Sequence, residues 1–89
     1  MKRRGLLMSS QDNVVVVLED CQTNDCIEYL GGQLEVNQPI QFGHKVAVSD
    51  INKDEDVTKY GETIGYALEK IEKGNWIHNH NMGCHRGKK

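Results

Sequence analysis

The run Val14-Val15-Val16-Val17-Leu18 opens with four adjacent β-branched residues, and it constrains the fold more than any other stretch of the chain. Side chains branched at Cβ lose rotamer freedom in a helix but pack well on a pleated surface, so the run is predicted to be a strand. Successive strand side chains point to opposite faces, so unbroken apolarity means that both faces are covered. One face meets the core and the other a second sheet or a different chain. A chain of 89 residues has room for one small domain. Its stability therefore depends on efficient sheet packing or on a partner.

Other stretches read the same way. Leu6-Leu7-Met8 is predicted as a short first strand, and Gly43-His44 opens another over Lys45–Ile51, with Val46 and Val48 on one face and Ala47 on the reverse. Val57 restarts an extended piece that reaches a turn at Tyr60-Gly61-Glu62, and residues 63–68 form a further strand. Asp25 to Leu30 reads as strand or helical turn, broken by Gly31-Gly32, and Pro39 favours an extended connection. An internal echo runs at an offset of 30 residues: Val16 matches Val46, Leu18 matches Val48, Asp20 matches Asp50 and Ile27 matches Val57. A third copy begins at Ala67, parallel to Ala47–Ile51. Repeated strand and charged-turn units predict a compact all-β domain of short strands and long loops, with room for a short helix. The competing architecture is α+β, with helices at 22–30 and 66–73.

Charge and cysteine usage narrow the function. The formal net charge is −2, and the basic residues cluster only at Lys2-Arg3-Arg4 and from Arg86 to Lys89. Without a central basic patch, nucleic-acid binding is not expected, and the basic ends read as solubilising tails. Three cysteines are too few and odd in number for a disulfide framework, so Cys21 and Cys26 read as small hydrophobes or loop thiols. No apolar run approaches the roughly 20 residues a membrane span requires. Leu6-Leu7-Met8 is too short for a secretory core, and a cytoplasmic setting is expected. No glycine-rich phosphate cradle or nucleophile elbow is present, so the chain reads better as part of an active site than as all of one.

The stretch Gly74-Asn75-Trp76-Ile77-His78-Asn79-His80-Asn81 carries the most chemistry. In an extended strand His78 and His80 share a face, with Trp76 on the same parity at the base of the imidazole edge. Such a pair can bind a metal, exchange protons near neutrality or grip an anion. His78 and His80 are the candidate catalytic residues. His44, Lys45 and Tyr60 are candidate substrate-binding residues, with Tyr60 also suited to packing at a hairpin end. A zinc site from His78, His80, Cys84 and His85 would require the C-terminal tail to fold back.

Taken together, Asp12-Asn13-Val14, Gly43-His44-Lys45, Lys59-Tyr60-Gly61 and His78-Asn79-His80-Asn81 resemble the successive motifs of the SAF-type domain of altronate and galactarate dehydratases. The same segments resemble the small subunit of sulfolactate sulfo-lyase. The resemblance covers most of residues 12–81. It implies a β-clip domain over 12–82, between an N-terminal segment at 1–11 and a basic tail at 83–89. It also implies the small subunit of a metal-dependent sugar-acid hydro-lyase, which removes water from a polyhydroxy carboxylate beside a large catalytic subunit. The resemblance implies help from a divalent metal, commonly Fe2+. The shared face of His78 and His80 makes them the candidates for catalysis or for holding that metal with the partner, and a homo-oligomer is an open expectation. The alternatives are a sulfo-lyase small subunit and a non-catalytic acid-binding or adaptor domain. One departure bears on activity: family sequences often carry a histidine shortly before the Asp-Asn-Val motif, where this chain has Ser9-Ser10-Gln11.

Overall fold

The computed structural model describes residues 2–84. His85 and the basic residues 86–89 lie outside them. The regular structure of the described residues is all β: β1 (Lys2–Leu6), β2 (Val14–Val17), β3 (Cys26–Tyr29), β4 (Gly32–Glu35), β5 (Lys45–Ala47), β6 (Asp56–Lys59), β7 (Glu62–Ala67), β8 (Trp76–Ile77) and β9 (Met82–Gly83). Neither the short helix nor the helices of the α+β alternative form: residues 26–29 and 62–67 are strands. Among the described residues no helix is long and apolar enough to cross a membrane. Six strands form one sheet in the order β4-β3-β1-β2-β5-β8, and three form a second in the order β6-β7-β9. This architecture is consistent with the β-clip of a SAF domain.

The valine run divides its side chains between two cores. Val14 packs with Ala47, Ile51, Val57, Ala67, Ile71, Ile77 and Met82. Val15 and Val17 point the other way, into a cluster with Cys21, Ile27, Leu34, Val36, Ile40 and Val46. Both faces of β2 are thus covered from within the chain. Each fully buried valine contributes on the order of 1.5–3 kcal/mol relative to exposure.

The 30-residue echo is a repeat of backbone geometry. Cys21 and Ile51 both form isolated bridges, to Ile40 and Ile71 respectively. Beyond each bridge the chain makes a turn closed by Asp25 N–H to the Gln22 carbonyl (2.9 Å) or Glu55 N–H to the Asn52 carbonyl (3.0 Å). After Ile71 the turn recurs, with Asn75 N–H donating to the Glu72 carbonyl at 3.0 Å. The residue before each of these donors has positive φ: Asn24 at 74°, Asp54 at 73° and Gly74 at 91°. Asn, Asp and Gly are the residues that tolerate this conformation. Asp20 and Asp50, matched by the echo, also do the same work: each Oδ1 accepts a distant backbone N–H, from Phe42 (2.8 Å) and Lys73 (2.9 Å).

Two departures from the sequence reading are instructive. Lys2-Arg3-Arg4 is no free tail but most of β1, inserted between β3 in parallel and β2 antiparallel. Its charges meet carboxylates, Arg3 with Asp25 (3.0 Å) and Glu19 (3.4 Å), and Lys2 with Glu28 (3.3 Å). The strand after His44 ends at Ala47, earlier than Ile51, which instead holds the bridge to Ile71.

Candidate functional site

The histidine stretch is not a continuous strand. β8 stops at Ile77, and residues 78–81 turn back into β9. Asn81 enforces the turn, because its side chain is buried and used at both ends. Its Oδ1 accepts the His78 N–H at 3.0 Å, and its Nδ2 donates to the Trp76 carbonyl at 2.9 Å. The His78 carbonyl accepts the N–H groups of Asn81 and Met82. Strand alternation therefore does not place the two histidines.

Trp76 brings them together instead. The indole stacks on His78 with ring centroids 5.2 Å apart and planes 10° from parallel. His80 lies 5.1 Å from the same indole, tilted by 45°. His44 meets Trp76 edge-on at 5.4 Å and His78 at 5.5 Å. The sequence-predicted His44, His78 and His80 are thus assembled around one aromatic ring at β8, the edge strand of the larger sheet. Trp76, His44 and His78 are half-buried and His80 is exposed.

Backbone bonds fix His44 in the turn before β5. Its N–H donates to the Gln41 carbonyl at 3.1 Å, and its carbonyl accepts the Val17 N–H at 3.0 Å. The ring accepts one specific bond, from the Trp76 indole Nε1–H to Nδ1 at 3.0 Å. Beside the pair lies a hollow of about 330 Å³ lined by Pro39, Gln41, His44 and Trp76. Gln41, Pro39 and the clamp residue Asn81 were not among the site residues expected from sequence. Asn81 was legible only as an Asx-type residue three positions beyond His78, in keeping with turn chemistry.

Lys45 and Tyr60 belong elsewhere. Lys45 pairs with Ile77 and Val16, and its neighbour Val46 pairs with Trp76. Paired residues share a face and adjacent ones do not, so Lys45 lies on the opposite side of β5 from the indole. Burial pushes its ammonium below the ordinary lysine range, and the nearby charge of Lys59 adds to the shift while Cys84 opposes it. Tyr60 occupies the tip between β6 and β7 with φ of 60°, largely exposed, its ring 5.7 Å from the Lys59 ammonium. It shares no ring contact or hydrogen bond with the three imidazoles.

No three His, Cys, Asp or Glu side chains among the described residues converge as a metal-ligand set. His85, one member of the zinc arrangement considered above, lies outside those residues. Cys21 is a buried core residue whose thiol is pushed up chiefly by burial, as its reading as a small hydrophobe requires.

A two-sheet β module with imidazoles gathered on an edge-strand tryptophan is the class that the fold and site define. Residues 3–85 match the altronate/galactarate dehydratase SAF domain, and the chain belongs to that family. It is 39% identical to the altronate dehydratase of Bacillus subtilis over 80% of its own length but only 14% of that protein. It is likewise 39% identical to the galactarate dehydratase (L-threo-forming) of Escherichia coli, over 74% of this chain and 12% of that one. Against the (2R)-sulfolactate sulfo-lyase subunit alpha of Chromohalobacter salexigens it is 41% identical, over 61% of this chain and 57% of the relative. The chain therefore spans a small fraction of the dehydratases and more than half of the sulfo-lyase subunit.

Proposed function

We propose that the chain serves as the small subunit of a sugar-acid hydro-lyase of the altronate/galactarate type, acting beside a larger catalytic polypeptide. The observation that carries this reading is the gathering of His44, His78 and His80 on Trp76 within a domain of that family. The reaction is β-elimination from a polyhydroxy carboxylate. A proton leaves the carbon α to the carboxylate, its electron pair forms the new double bond, and the β-hydroxyl departs with a proton as water. His78 and His80 supply imidazoles for those proton movements at a cleft completed by the partner.

A divalent cation, Fe2+ being the expectation from the resemblance, would polarise the departing oxygen. Holding it would be the alternative role for His78 and His80 in place of proton transfer, with the partner supplying the remaining donors. His44 does not fit as a ligand while its Nδ1 accepts from the indole.

The match to 57% of the sulfo-lyase subunit alpha favours one second reading, in which the same module serves an enzyme that expels sulfite. Co-purification with its large partner, followed by assays on altronate, galactarate and sulfolactate, separates the two. In the complex, His78→Ala and His80→Ala are each expected to lower kcat by about 10²-fold or more. Unchanged turnover and metal content in both variants would remove these residues from the reaction.

A further inference from the structure

We propose that His44 is a fixed hydrogen-bond donor for a carboxylate, and that the hollow of Pro39, Gln41 and Trp76 beside it is the subsite for that group. The inference rests on the reading that the imidazole cluster faces a hydroxylated acid, and it assigns one residue a role that the spacing of histidines does not.

Its basis is the direction of a single bond. An indole N–H can only donate, so the Trp76 Nε1–His44 Nδ1 contact at 3.0 Å requires a lone pair on Nδ1. A neutral imidazole carries one N–H, which is then on Nε2. Metal ligation through Nε2 needs the reverse arrangement, a lone pair there and a proton on Nδ1 handed to an acceptor. Trp76 blocks that arrangement and leaves His44 presenting Nε2–H, which makes no other hydrogen bond among the described residues.

The surroundings suit a carboxylate. A carboxylate accepts only, and Nε2–H with the side-chain amide of Gln41 offers it donors. Pro39 and the Trp76 ring supply apolar wall for the adjoining carbon chain, and the volume of about 330 Å³ takes a small molecule. The donor is held on both sides, since the backbone of His44 is tied to Gln41 and Val17 and its ring to Trp76. Trp76 is thus a positioning residue that acts through His44.

The test uses the full 89-residue chain labelled with ¹⁵N, at mildly alkaline pH. Long-range ¹H–¹⁵N spectra are expected to show His44 in the Nε2-protonated form, and Trp76→Phe to release it into a mixture of tautomers. Titration with galactarate should shift His44 Nε2 and the Gln41 amide, whereas galactitol, which has the same chain length without carboxylates, should not. His44→Ala is expected to weaken galactarate binding about tenfold or more, and His44→Gln, which keeps an N–H donor, to recover part of the loss. A proton on Nδ1, equal responses to galactarate and galactitol, or no response at His44 would each overturn the proposal. These readouts come from the chain alone, so they fail independently of turnover in the assembled enzyme.

Discussion

At the level of single residues, Asp12 organises more of the structure than its place in a polar loop suggests. The residue is 7% exposed, and its carboxylate accepts N–H groups from Ser9 (3.1 Å), Tyr60 (3.0 Å) and Gly61 (2.8 Å). The neighbouring Asn13 grips the same hairpin, its Oδ1 accepting from Thr58 and its Nδ2 donating to the Asp56 carbonyl. Together they tie the tip of β6 and β7 to the start of β2. Removing a buried acceptor leaves its donors unpaired, at about 1–3 kcal/mol for each group that water cannot reach. Asp12→Ala is therefore expected to lose about 2–4 kcal/mol in urea unfolding, with Asp12→Asn intermediate because one oxygen remains. Wild-type stability in Asp12→Ala would show that the tip is held by something else. Asn81 plays the corresponding part at the histidine turn, which makes two residues of modest chemistry responsible for where the distinctive motifs sit.

At the level of elements, β1 is held between β3 and β2 by ion pairs in addition to its backbone ladders. Asp25 Oδ2 accepts from Gln22 N–H at 2.9 Å and from Arg3 Nε at 3.0 Å. The backbone bond first, and the guanidinium second, hold the Asp25 carboxyl below its ordinary value near 3.8. A carboxyl depressed in the folded state contributes fully above that ordinary value, and the contribution is lost as pH falls through the lower folded one. Acid titration of stability should thus show a loss beginning below about pH 4 that is absent in Asp25→Asn, with the variant the weaker of the two at neutral pH. Parallel titration curves for the two proteins would exclude the pair as the acid-sensitive latch.

These elements also show what sequence could and could not reveal. The valine strand was legible because β-branched side chains act locally, and the turn at Tyr60-Gly61 because glycine adopts its φ of 72° freely. The first strand read from sequence, Leu6-Leu7-Met8, overlaps β1 only at Leu6, since Arg3 finds its acids only at separations of 16 and 22 residues. The turn after Ile77 was missed for a related reason: an alternating His-Asn-His-Asn pattern suits a strand until a buried Asn81 side chain binds the backbone at both ends. The three histidines were identified, yet the object that unites them, the indole of Trp76, is a tertiary fact.

On the scale of the whole molecule, two apolar clusters share one strand, and this governs how the protein unfolds. Val14 belongs to the first cluster, and Val15 and Val17 to the second. Strand β5 repeats the division, with Ala47 in the first and Val46 in the second. Neither core can open without displacing strands that complete the other, so the pair should melt as a unit. Ile71→Ala and Ile27→Ala, one in each cluster and both fully buried, are each expected to cost about 2–5 kcal/mol. That is a large share of the roughly 5–10 kcal/mol that a domain of this size holds. Circular dichroism and tryptophan fluorescence followed through urea should report one coincident transition in the wild type and in both variants. Because Trp76 packs against the second cluster, separate cores would show themselves as Ile71→Ala shifting the circular dichroism midpoint while leaving the fluorescence midpoint in place. Coincidence of the two probes in Ile71→Ala would instead mean that the imidazole-bearing edge is only as stable as the core on the far side of β5.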